Sequence, residues 1–153
     1  QLPPQRVTAP FSHLHVAPTL LELLGLPAEP RFEGESWAAR MREGHLKARP
    51  SDLAFFEVLP DRNYHEHLVG VSAERWKLIY DINHNAFELY DLKADPHEQH
   101  DLSALLTTNA QAPSKAENKR LSLLKRALLS YAEEHLAALA KGQAGVSKPW
   151  GSP

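Results

Sequence analysis

The chain has 153 residues, enough for one ordinary domain that buries about two-thirds of its unfolded surface. Hydrophobic residues make up 42% and charged residues 24%, with 17 basic against 19 acidic groups, so no single-sign field exists to recruit nucleic acid or an anionic membrane. The lack of cysteine excludes a disulfide framework, a thiolate zinc site and a cysteine nucleophile, and leaves the compartment open between periplasmic or extracellular and cytoplasmic.

Residues 1–10, QLPPQRVTAP, hold three prolines and no initiator methionine, and read as an extended connection entered from an upstream region, where any export signal is expected. Residues 12–27, SHLHVAPTLLELLGLP, follow. Pro18 suits the first turn of a helix, the leucines supply a buried face, and Gly25 with Pro27 supplies the stop, so a short, mostly buried helix is expected. The apolar run at residues 20–24 is far short of the roughly 20 residues needed to cross a bilayer. Ser36 is placed to cap a second short helix through Trp37, Ala38, Ala39 and Met41 to Gly44.

From Leu53 the pattern turns to strands. LAFFEVL ends at Pro60, HLVGVSAERWKLIYDI contains two apolar stretches around a turn at residues 72–74, and AFELYDL follows the turn-like Asn83-His84-Asn85. Three or four antiparallel strands are expected over about residues 53–92. Alternation sets Trp76, Leu78 and Tyr80 on one face and Arg75, Lys77 and Ile79 on the other, the pattern of a sheet with one covered side. Ser114 and Glu117 form a capping box for a long amphipathic helix over about residues 115–141. Its apolar stripe is Leu121, Leu124, Leu128, Tyr131, Ala132, Leu136 and Leu139, and it is expected to pack on the sheet. The tail from Gly142 reads as irregular, with Trp150 as a possible anchor.

Three ordered segments carry a family resemblance. SHLHVAPTLLELLGLP with the EGES of residues 33–36 resembles the sulfatase pattern S-H-x-D-x-x-P-T-L-L-x-L-x-G followed by G-x-S. GVSAERWKLIYD (residues 70–81) is similar to the strand pair with V-R-T-x-R-W-K-Y-I, and ELYDLKADPHEQHDL (residues 88–102) to E-L-Y-D-L-x-x-D-P-x-E-x-x-N-L. The resemblance, to sulfatases of the alkaline-phosphatase superfamily, implies an α+β fold. Residues 1–50 would end a larger α/β catalytic domain, and residues 51–153 would form a C-terminal subdomain of antiparallel strands and the long helix. It also implies a parent hydrolase of sulfuric esters, or alternatively of phosphate or phosphonate esters, that uses a formylglycine and a divalent cation, Ca or Mg. The formylglycine motif C/S-x-P-x-R, the paired Asp-Asp and the D-H-G or D-N-G segments do not occur in these residues. No catalytic residue or metal ligand is therefore assigned in this chain. On this reading it is inactive alone and has the missing N-terminal catalytic domain as its partner. The exposed apolar face left by that domain, with Leu20, Leu21 and Leu24, would favour self-association. A stand-alone binding or scaffold domain with the same fold is the alternative. His15 stands where the family usually has Asp, which changes whatever hydrogen bond that carboxylate makes.

Candidate site residues lie between the first two strands. Arg62, Tyr64, His65 and His67 offer cationic and aromatic groups on a loop, suited to the organic part of a sulfate ester if this subdomain borders the substrate cleft. The H-x-H spacing of His65 and His67 also permits a shared Zn²⁺ or Fe ion, with a third ligand from His13, His15, His84 or a carboxylate. The simpler reading is a solvated loop. His13 and His15 read as a hydrogen-bonded pair near a helix start, Trp37 and Trp76 as core anchors, and Asp95-Pro96 as a structural turn ahead of solvated His97, Glu98 and His100.

Overall fold

The computed structural model describes residues 4, 6–44, 46–49, 52–107 and 114–140, the last three of these by backbone only. The chain divides into two compact units, Gln1–Ser103 and Ala104–Pro153. The first holds helices α1 (Val16–Leu23) and α2 (Ala38–Glu43) and strands β1 (Ala54–Val58), β2 (Leu68–Ser72), β3 (Trp76–Asp81) and β4 (Ala86–Asp91). The second is dominated by α3 (Lys115–Ala140). Expected anchors at Trp150 and residues 141–153 lie outside the described residues.

The four strands form one antiparallel sheet in the order β1-β2-β3-β4. Antiparallel register aligns Phe55 with Val71, Val71 with Leu78, and Leu78 with Leu89, so one row of apolar side chains crosses the whole sheet. Val71, Leu78 and Leu89 are fully buried, and Trp76 nearly so, which gives the face that alternation in RWKLIYD assigned to Trp76 and Leu78. On the other face Phe56 lies opposite Gly70, and its ring occupies the space that a β-carbon on Gly70 would need. Lys77 Nζ sits 5.4 Å from the centroid of that ring and bonds Glu98 Oε2 at 2.6 Å.

The helical segment before the sheet is stitched together by the motif residues. A 3-10 turn, His13–His15, is capped by Ser12 and runs into α1, so Pro18 falls at the third helical position. Thr19 is buried, and its hydroxyl donates to the His15 carbonyl while accepting the Trp37 amide at 2.9 Å. Gly34 passes so close to the Leu14 carbonyl that a β-carbon there would lie 1.9 Å from the oxygen. Trp37 packs with Ala9 and Leu46 in a small core edged by Phe11, Met41 and Ala48. Arg40 stacks on the Trp37 ring at 3.9 Å and forms a two-pronged pair with Asp52 at 3.0 and 2.9 Å, fastening α2 to the turn before β1. Burial by itself would raise the Asp52 carboxyl, but the Arg40 guanidinium and the Arg49 amide outweigh it and hold it below the usual carboxylate value.

Three expectations are corrected. Helix α1 is not mostly buried: Thr19 is its buried residue, whereas Leu20 is 52% exposed and Leu24, its C-cap, 72% exposed. His13 and His15 do not bond each other: His13 is exposed, and His15 Nδ1 accepts the Glu35 amide at 3.1 Å while its ring stacks on Trp37. In α3 the buried positions among the described side chains are Leu121, Leu124, Leu128 and Ala132, whereas Leu136 of the expected stripe is exposed, and the side chain of Leu139 lies outside the described residues. Ser114 caps α3 as read, with its hydroxyl accepting the Glu117 amide at 3.2 Å and donating to the Glu117 carboxylate at 3.0 Å.

Candidate functional site at one end of the sheet

Antiparallel pairing puts the β1–β2 loop and the β3–β4 turn at the same end of the sheet, since Val58 pairs with Leu68, Leu68 with Asp81, and Asp81 with Ala86. The loop is internally braced. Asp61 Oδ1 accepts the amides of Asn63 and Tyr64 at 2.7 and 2.8 Å, and the Asp61 amide donates to the Tyr64 carbonyl at 2.7 Å. Tyr64 donates its hydroxyl to Glu66 Oε2 at 2.7 Å, and this bond to a carboxylate pushes the phenol above its ordinary value. Asn83 Nδ2, on the β3–β4 turn, donates to the His65 carbonyl at 3.1 Å and so joins the two connections.

The four residues singled out in sequence meet different fates. Arg62 and His65 are exposed and Tyr64 is half-buried. His67 is only 8% exposed, with Nε2 2.7 Å from Glu57 Oε1. Glu57 precedes the end of β1 on the same face as Phe55, so the pair inserts polar groups beside the apolar face and pins the base of the loop. Glu57 was invisible to sequence reasoning, because an acidic residue on a strand normally reads as solvent-facing. His65 and His67 therefore do not share a ligand geometry: one ring is in solvent and the other is committed to a carboxylate. Among the described residues no group of three or more His, Asp or Glu side chains is gathered to hold a metal ion.

The β3–β4 turn is equally fixed. Asp81 Oδ1 accepts the amides of Asn83 and His84 at 2.9 and 3.1 Å, and its Oδ2 meets His84 Nδ1 at 2.7 Å. The hydrogen bond to Asp81, followed by that carboxylate's charge, raises the imidazole above its ordinary value, and the same contact lowers the Asp81 carboxyl. Asn85 adopts the left-handed conformation at φ 51° and accepts the Tyr80 hydroxyl at 3.0 Å, while Tyr80 and Phe87 stack at 4.6 Å.

At the other end of the sheet the ELYDL and DPHEQHDL stretch acts as scaffold. Asp91 Oδ2 receives Arg75 Nε at 2.9 Å and Nη2 at 2.6 Å, and Asp91 Oδ1 receives the amides of Lys93 and Ala94. Asp95 Oδ2 receives the amides of Gln99 and His100, and Asp101 Oδ1 those of Leu89 and Ser103. Tyr90 is partly buried, and desolvation together with its bond to Glu88 pushes its phenol up to about 12. Of the three polar residues expected in solvent after Asp95-Pro96, His97 and His100 are exposed, whereas Glu98 is half-buried against Lys77.

Comparison with known proteins agrees with this architecture. The family model for the C-terminal region of N-sulphoglucosamine sulphohydrolase matches residues 3–125. A structure solved in complex with its substrate D-glucosamine-2-N,6-O-disulfate is similar at TM-score 0.56 and 22% identity, covering 78% of this chain and 24% of that one. A protein from Bacteroides thetaiotaomicron VPI-5482 assigned as a sulfatase is similar at TM-score 0.57 and 23% identity, over 82% of this chain and 25% of that one. A 2-O GAG sulfatase is similar at TM-score 0.55 and 24% identity, with the same two coverages of 82% and 25%. The chain thus spans about a quarter of the length of these solved structures, and the likeness shows the shared α+β fold. No curated protein matches it. With four-fifths of its length matched, the chain belongs to the N-sulphoglucosamine sulphohydrolase C-terminal family, the C-terminal portion of a sulfatase.

Proposed function

We propose that this chain is the C-terminal module of a sulfatase that hydrolyses sulfate groups on glucosamine-type sugars, and that the loop 62–66 borders the substrate cleft. In this reading the nucleophilic formylglycine and the divalent cation belong to an N-terminal catalytic domain, and this module shapes the cleft without catalysing the reaction alone. The exposed leucines of α1 then face that domain. The observation that carries the site is the bracing of the loop: Asp61, the Tyr64–Glu66 bond, the buried His67–Glu57 pair and the Asn83 link fix the backbone that carries Arg62 and His65, and the Tyr64 ring, before any ligand arrives. A guanidinium, a phenol ring and an imidazole suit an anionic sugar, whose ring faces favour aromatic contact and whose sulfates favour charged donors. The family match and the substrate-bound relative support the sugar class.

The test is sulfate release by the whole protein from glucosamine carrying 2-N- and 6-O-sulfate, with a phosphate ester for comparison. Arg62→Ala is expected to raise KM roughly tenfold with little change in kcat, the effect of losing one charged hydrogen bond in substrate binding. Hydrolysis of the phosphate ester in place of the sulfated sugars, or an unchanged KM in the variant, overturns the corresponding part.

A further inference from the structure

From the sequence His84 reads as part of a turn and as one candidate third metal ligand, and the fold gives it a different role. Its turn lies at the same end of the sheet as the loop 62–66 and is tied to it, since Asn83 Nδ2 donates to the His65 carbonyl at 3.1 Å. The ring does not hang free. Nδ1 is held 2.7 Å from Asp81 Oδ2, and that carboxylate is itself held by two backbone amides through Oδ1. With Nδ1 occupied, the ring presents Nε2 outward from a side chain that is 69% exposed. We propose that His84 is a second anion-recognising group of the substrate surface, its Nε2–H donating to a sulfate oxygen of the bound sugar beside Arg62 and His65.

This rests on the reading of the loop as part of a sulfated-sugar cleft and deepens it. The chemistry is specific about protonation. When Nδ1 donates to Asp81, a neutral ring offers Nε2 only as an acceptor, which an anionic oxygen cannot use, whereas the imidazolium offers Nε2–H. Asp81 on the same hairpin and Glu66 on the facing loop both favour the imidazolium, and Tyr80 on the hairpin with Asp61, Arg62, Tyr64, His65 and the His67–Glu57 pair on the loop side are the other titratable or charged groups of this end. Glu66 is engaged by the Tyr64 hydroxyl and Asp81 by His84 and two amides, so neither carboxylate is left to repel the ligand unopposed. The Tyr80–Phe87 stack and the Tyr80–Asn85 bond keep the turn in place.

The experiment measures kcat and KM of the whole protein for glucosamine 2-N,6-O-disulfate between about pH 6 and about pH 8.5, for wild type, Arg62→Ala, His84→Ala and His84→Gln. His84→Ala is expected to raise KM roughly tenfold at the acidic end with kcat nearly unchanged. In wild type KM should climb as pH rises and the imidazolium is lost. His84→Gln keeps an uncharged donor at the Nε2 position, so it should recover part of the affinity while flattening the pH dependence, a signature that a merely structural role does not give. A KM raised in Arg62→Ala but unchanged in both His84 variants overturns this inference and leaves the loop reading intact. An unchanged KM in Arg62→Ala as well, or no release of sulfate from the disulfate by wild type, overturns both.

Discussion

Arg75 and Asp91, sixteen residues apart, close the β3–β4 hairpin with two guanidinium contacts to one carboxylate oxygen, at 2.9 and 2.6 Å. The Arg75 carbonyl accepts the Leu92 amide at 2.8 Å, so backbone and side chain fasten the same corner. Asp91 is buried, and its other oxygen caps the turn that follows β4. Replacing it by alanine removes the carboxylate shared by a half-exposed guanidinium and two amides, and is expected to cost about 2 kcal/mol, with asparagine costing about half as much. Urea unfolding of the purified chain at neutral pH measures both; equal, negligible losses would show the corner to be unimportant.

The same pair sets an acid limit. Arg75 first, and the Lys93 and Ala94 amides after it, hold the Asp91 carboxyl below its ordinary 3.8, against a smaller opposing effect of burial. A depressed folded-state value gives stability that is fully present above the unfolded value and is lost as pH falls through the folded one. Asp52 and Asp101 are shifted in the same direction. The contribution of these carboxylates to the unfolding free energy is therefore expected to be level from neutral pH down to about pH 5 and to decline steeply below about pH 4. Asp91→Asn should make that decline shallower.

Gly34 and Gly70 are predicted to differ in tolerance although both are crowded. At Gly34 the obstruction is the Leu14 backbone carbonyl, which is part of the turn leading into α1, so Gly34→Ala should cost more than about 2 kcal/mol and separate the motif segments. At Gly70 the obstruction is the Phe56 ring, and a ring can rotate away. Gly70→Ala should cost about 1 kcal/mol and be largely relieved in the double variant with Phe56→Leu. Thermal melting of the four proteins decides, and equal losses at the two glycines would be contrary to this view.

His15 occupies the position where related motifs carry Asp, and its Nδ1 keeps an acceptor there for the Glu35 amide. His15→Asp should therefore be tolerated within about 1 kcal/mol, while His15→Ala leaves the amide unpaired and removes the ring stacked on Trp37, for about 2 kcal/mol. Hydrogen exchange at the Glu35 amide reports the bond directly: it should accelerate in the alanine variant and stay slow in the aspartate one.

The exposed leucines of α1 predict association of this chain on its own. Sedimentation should show concentration-dependent self-association that Leu20→Glu with Leu24→Glu abolishes. A monomer at all concentrations would contradict it.

Much of the local structure is legible along the chain. Alternation in RWKLIYD gave the buried face of β3, Ser114 with Glu117 marked the start of α3, and Gly44 ended α2 with a left-handed φ of 72°. These are short-range rules, set by side-chain period and by which residues tolerate a turn. The three motif segments were legible too, as patterns without reasons. Only the tertiary structure supplied the reasons, because each one is a contact between distant residues: Thr19 with Trp37, His15 with Glu35, Arg75 with Asp91, Lys77 with Glu98. Burial was decided there as well. His67 looked like its exposed neighbour His65 until Glu57 was found 2.7 Å away, and His84 looked like a turn residue until strand register put its turn beside the loop. Pairing across a sheet depends on register and on which face is covered, and neither is written in the neighbours of a residue along the chain.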